Sequence, residues 1–157
     1  MMTQLSIAQF TDKLAEIMPV VMKEFGRRII DGLENKVTLP QVLILEFLER
    51  QQESKMKDLA GFMGVSTAAS TGIVDRLVKC GYVVRAFDPE DRRVIKIRLT
   101  PKGFGLLKQI NLQKHRMVMG VFGKVSEEDR RDYLRILTQI KDILLSNGNH
   151  QEKGSHV

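Results

Sequence analysis

Residues 54–99 read SKMKDLAGFMGVSTAASTGIVDRLVKCGYVVRAFDPEDRRVIKIRL, and the order of elements in that stretch decides the fold. Ser54 is placed to cap a short helix that runs through Met63 with Leu59, Ala60 and Met63 inward. Gly64 suits the left-handed conformation that stops a helix and turns the chain. Ser66 then caps a longer helix, Ser66–Lys79. Small Ala60, turn residues Gly64 and Val65, and inward Ile73 and Leu77 match a helix-turn-helix. Two β-branched and aromatic runs follow, Tyr82–Phe87 and Val94–Leu99, around the charged turn Asp88-Pro-Glu-Asp-Arg-Arg93. The stretch therefore predicts a helix pair carrying a β-hairpin wing.

At about 100° per residue, Ser66, Ala69, Ile73 and Leu77 gather on one side of the second helix. Ala68, Thr71, Asp75 and Lys79 lie opposite, flanked by Thr67 and Gly72. Small residues permit close approach to base edges, and a threonine can hydrogen-bond a base or phosphate or touch a thymine methyl. A helix N-terminus favours a phosphate. In the hairpin, Lys96 and Arg98 alternate with Ile95, Ile97 and Leu99, a half-buried strand with a basic outer face. Arg92 and Arg93 stand at the tip, suited to a narrow minor groove, and Asp91 is placed to hold one of them through a charged hydrogen bond. The expected DNA contacts are Ser66, Thr67, Ala68, Ser70, Thr71, Arg76 and Lys79 on the helix, and Asp91, Arg92 and Arg93 on the wing.

Composition agrees. The 157 residues are 43% hydrophobic and 28% charged, the range of a soluble globular domain. The net charge of +6 favours an anionic partner. Only 6% of residues are aromatic and there is no Trp, which argues against a single-strand binder built on stacked bases. No apolar run approaches the ~20 residues of a membrane span, and no secretory leader is visible, so a cytoplasmic protein is expected. One cysteine, Cys80, precludes an internal disulfide.

The flanks predict long helices. Ser6 and Gln9 form a capping box ahead of a helix over 6–33, with Phe10, Leu14, Ile17, Val21, Phe25 and Ile29 on one face and Pro19 expected to kink it. Thr38 caps a second helix with Gln41 at the reciprocal position and Pro40 in the first turn, and the polar run Glu49–Ser54 reads as a connection. Thr100-Pro101 opens a fifth helix and Ser126 a sixth, whose Tyr133, Leu137, Ile140 and Leu144 form a packing seam. Gly103, Gly105, Gly120 and Gly123 weaken the fifth helix, for which close helix contacts are one reason. The fold class is mainly α: six helices with a two- to three-stranded sheet. Residues 1–147 read as one domain, with 5–33 and 104–146 as dimerisation helices, 34–100 as the winged part, and 148–157 as a disordered tail.

The stretches LAGFMGVSTAASTGIVDRL (59–77) and KCGYVVRAFDPEDRRVIKIRLTPKG (79–103), with the helix order around them, resemble the MarR family of winged-helix transcriptional regulators over residues 5 to about 145. The resemblance implies an obligate homodimer joined by its first and last two helices. It implies Ser66–Lys79 in the major groove, Arg93 in the minor groove with Asp91 orienting it, and a pseudo-palindromic double-stranded operator. Two recognition helices would then lie about one helical turn, ~34–36 Å, apart. Many members are repressors released by a small phenolic or lipophilic molecule bound between the dimerisation and DNA-binding parts, and others respond to oxidation or metal. Met22, Phe25, Phe47 and Met117 are the candidate pocket residues here, and core packing explains each as well.

One departure is Gly72, where the family often carries an arginine. The family's peroxide-sensing cysteine lies in the first helix, where this chain has none, so Cys80 reads as a packing residue. His115 stands alone, with His150 and His156 in the tail, so no metal site is expected, and no cofactor either. No paired carboxylates, phosphate loop or nucleophile–base set points to an enzyme. The alternative is a helical dimer that docks a protein partner without DNA, for which Gly72 and the neutral Ala68–Ala69 pair leave room.

Overall fold

A computed structural model describes residues 5–33, 37–91 and 93–148. The expected disorder of the tail beyond 148 and the role given to Arg92 lie outside these residues. Among them are six helices, α1 (Ile7–Asp31), α2 (Leu39–Gln51), α3 (Met56–Met63), α4 (Thr67–Lys79), α5 (Pro101–Phe122) and α6 (Glu127–Gly148). Three strands, β1 (Glu53–Lys55), β2 (Val83–Phe87) and β3 (Ile95–Leu99), form an antiparallel sheet in the order β1-β3-β2. The chain divides into two compact units, Met1–Met117 and Val118–Val157.

In the first unit, Ser6 caps α1 as expected: its hydroxyl accepts from the Gln9 N–H, and the Gln9 carboxamide accepts from the Ser6 N–H (3.0 Å). The helix is continuous through Pro19. The Gln41 carboxamide likewise accepts from the Thr38 N–H at the start of α2 (2.9 Å). The core gathers Ile44, Leu45 and Leu48 of α2, Leu59 of α3, Val74 and Leu77 of α4, Val83 and Ile97 of the sheet, and Leu106, Leu107 and Ile110 of α5. Each such side chain removed from water stabilises the fold by about 1.5–3 kcal/mol.

Residues 49–54 are not the expected connection. The helix runs on to Gln51, Gln52 takes a positive φ of 66°, and Glu53–Lys55 pairs with β3. Ser54 therefore lies in a strand, buried opposite Ile97, and Lys55 occupies the cap position of α3. A three-residue strand has too little length to show a period of its own. Its partner lies 43 residues away.

At the start of α5 the Thr100 hydroxyl accepts from the Gly103 N–H (3.1 Å) and donates to the Gly81 carbonyl (2.6 Å). It so caps α5 and ties it to the end of the helix-turn-helix. A Cβ at Gly103 would lie 2.1 Å from the Tyr82 carbonyl oxygen, so this glycine marks a close approach, while at Gly105 and Gly120 nothing lies within 4 Å.

In the second unit, Ser126 caps α6 by accepting from the Asp129 N–H (3.1 Å), with Glu127, Glu128 and Asp129 in the first turn. The Arg130 guanidinium donates to the Phe122 (3.0 Å) and Val125 (2.5 Å) carbonyls, satisfying groups left open where α5 ends. Tyr133, Leu137, Ile140 and Leu144 of α6 all remain exposed.

Candidate nucleic-acid interface

The turn between α3 and α4 forms as the residues dictate. Gly64 takes a left-handed φ of 63°, and the Val65 N–H reaches back to the Ala60 carbonyl (3.1 Å), closing α3. The Ser66 hydroxyl accepts from the Ala69 N–H (3.2 Å) and starts α4.

The inward side of α4 is rotated from the expected one. Ser70, Val74 and Leu77 are fully buried, Ile73 is half-buried, and Ser66 and Ala69 are exposed. Ser70, expected to touch DNA, is 0% exposed and donates to the Met56 sulfur (3.6 Å). It lies where α3 and α4 meet and cannot reach a ligand. Thr71 is half-buried and its hydroxyl donates to the Thr67 carbonyl (2.7 Å). Ser66, Thr67, Ala68, Gly72, Asp75, Arg76 and Lys79 form the exposed side. A Cβ at Gly72 would meet nothing within 4 Å, so packing does not explain the glycine.

The wing pairs Val83 with Leu99, Arg85 with Ile97 and Phe87 with Ile95. Its stem is not a free basic face. Lys96 is held by Asp88 (2.7 Å) and by Glu53, and Arg98 by Glu53 (2.6 Å). The acids that cancel these cations come from β1 and from the head of the turn, and Glu53 carried no sequence signal for that role. The turn closes through the Asp88 N–H to the Val94 carbonyl (2.9 Å). Asp91 does not orient a guanidinium among the described residues. Its carboxylate accepts from the Arg93 backbone N–H (2.9 Å) and fixes the turn. Arg93 is exposed, and no ion pair engages it among the described residues.

Lys96 beside Asp88, with help from the Glu90 N–H, holds the Asp88 carboxyl down at about 2, against an ordinary 3.8. A carboxylate so depressed stabilises the fold fully above its ordinary value, and the contribution is lost as pH falls through about 2. Carboxyl-detected NMR titration is expected to place Asp88 well below the ordinary 3.8. Lys96→Met should move its midpoint up toward 3.8. An unchanged midpoint would show that Lys96 is not its cause.

Of the four candidate pocket residues, Phe47 stacks on Phe62 (centroids 4.4 Å apart) and packs on the core, as does Met117. Phe25 is half-buried and Met22 exposed. A cavity of about 180 Å³ in the same unit is lined by Gly32, Leu33, Gln109, Leu112, Gln113 and Arg116. Cys80 is exposed at the end of α4, where its carbonyl accepts from the Lys102 ammonium (2.8 Å). No helix among the described residues is long and apolar enough to cross a membrane.

The sequence profile of the MarR family matches residues 37–95, which span α2 to the start of β3. The HTH-type transcriptional regulator YpoP of Bacillus subtilis is 30% identical over 94 residues, covering 60% of this chain and 67% of YpoP. The chain belongs to the MarR family. It is a transcriptional regulator with a winged DNA-binding fold. The MarR family protein of Bacillus stearothermophilus shares that fold, with a TM-score of 0.75 at 24% identity over 92% of this chain and 99% of its own. BpsR of Bordetella bronchiseptica, whose DNA binding is regulated by 6-hydroxynicotinic acid, matches with a TM-score of 0.65 at 19% identity over 82% of this chain and 98% of BpsR. No family of enzymes is indicated.

Proposed function

We propose that this MarR family chain is a homodimeric repressor that binds a pseudo-palindromic double-stranded DNA site and is released by a small lipophilic or phenolic molecule. The observation that carries the DNA reading is one exposed set of residues. Thr67, Ala68, Gly72, Arg76 and Lys79 of α4 are exposed, and Arg93 stands unpaired among the described residues at the end of the wing. Residues 34–100 are the DNA-binding part in this reading. α4 offers its N-terminal N–H groups to phosphate and its small side chains to base edges, and Arg93 enters the minor groove. Homodimerisation is supported by the apolar side chains that α1 and α6 leave in water, among them Ile7 (79% exposed) and Leu144 (67%). Release by a ligand is supported by BpsR, a structural neighbour regulated by an aromatic acid.

Fluorescence anisotropy with DNA from the chain's own promoter region is the test. Affinity is expected to fall steeply with salt, because bound lysines and arginines displace counterions from phosphates. Arg93→Ala is expected to weaken binding about tenfold, within the range of one lost groove contact. Salt-insensitive binding, or none at low salt, would overturn the DNA reading. A stoichiometric protein partner captured under the same conditions would put a protein-docking role in its place.

A further inference from the structure

α4 carries one acidic residue, Asp75, and it stands on the side that the proposed function turns toward DNA. At about 100° per residue, Ala68, Gly72, Asp75 and Lys79 fall within about 60° of one another, opposite buried Ser70 and Leu77. An ionised carboxylate there meets a surface of phosphates, and like charges brought together oppose binding. The structure supplies the answer from the wing. Arg85 of β2 sits opposite Ile97, on the sheet face that carries the core, and its guanidinium reaches across to the Asp75 carboxylate at 2.6 Å. Both side chains are substantially exposed, 36% for Arg85 and 53% for Asp75, so the pair lies at the surface. An exposed ion pair adds little to folding, which leaves its position on the DNA-facing side as the reason to look for a role in binding.

The geometry points to Arg85 as a positioning residue that cancels the charge of Asp75 and so allows the recognition helix to approach the duplex. This inference rests on the DNA-binding reading above. The pair also makes the two parts of the reading surface interdependent, because the neutralising cation for the helix comes from the hairpin.

Titrations of the intact chain against the same DNA separate the possibilities. Arg85→Gln bares Asp75 and is expected to weaken binding by about tenfold or more. Asp75→Asn frees the Arg85 cation and is expected to tighten binding, with a steeper dependence on salt. In the double variant neither charge remains, and affinity is expected to return to within about threefold of the parent, a coupling that non-additivity makes visible. Arg85→Lys keeps the charge and is expected to retain binding. Thermal melting of each variant controls for folding.

A double variant as weak as Arg85→Gln would overturn the inference. If that weakness came with a salt slope lower by about 0.9, Arg85 would be a direct phosphate contact instead. If it came with a lowered melting point, the pair would be holding the wing in place. Parent binding that is weakened by Arg93→Ala, together with an unrescued double variant, sinks this inference alone. A parent that does not bind DNA sinks both readings.

Discussion

A Gly103→Ala chain is expected to melt well below its parent. The added Cβ would lie 2.1 Å from the Tyr82 carbonyl oxygen and 3.2 Å from a Leu99 methyl group. That oxygen is not free to move, since it accepts from the Thr100 backbone N–H (3.0 Å). Relief of the clash must disturb the bonds that join α5 to the end of the helix-turn-helix. Overpacking costs about 1–3 kcal/mol, and with backbone as the obstacle the upper end applies. For a chain of this size that is a fall in Tm of roughly 10 °C by calorimetry. Gly105→Ala is the control, because nothing lies within 4 Å of its Cβ position. It is expected to match or exceed the parent, by up to ~1 kcal/mol from helix propensity. Equal melting of the two variants would refute the close approach.

The second large effect concerns α6. Tyr133, Leu137, Ile140 and Leu144 recur at intervals of four, three and four residues, the spacing of a helix-packing seam, and all are exposed in the single chain. Homodimerisation would bury them. Leu137→Asp combined with Ile140→Asp places two carboxylates in that seam, at a cost of several kcal/mol each unless water returns. Sedimentation is expected to give twice the mass of one chain for the parent and the mass of one chain for the variant at micromolar concentration. DNA affinity should collapse with the dimer, because two half-sites are then no longer gripped by one molecule. A parent that sediments as a monomer, or a variant that stays dimeric, would remove α6 from the interface.

Much of this was legible in the residues, and the exceptions share a cause. The caps Ser6, Ser66, Thr100 and Ser126 announce their helices because capping is local: the bonded atoms lie three residues apart. Gly64 announces the turn for the same reason. The rotation of α4 was not legible. A helical wheel of small residues has no strong apolar side, and only contact with α3 shows that Ser70 is inward and Ala69 is not. Nor was the neutral stem of the wing. Lys96 and Arg98 read as a basic face until Glu53, distant in sequence, is placed across from them. Asp91, placed in the turn by its sequence context, accepts there from the Arg93 backbone N–H, again a local bond. Sequence spacing identifies local partners and leaves the long-range ones to topology.

The short strand β1 carries a mechanical implication. Lys55 pairs with Lys96 of β3 and is also the residue from which α3 departs, so no slack separates hairpin from helices. Hairpin and helices are thus joined through a single residue, so a displacement of one is passed directly to the other. In the proposed dimer, release from DNA would then shift each such joined pair as a whole.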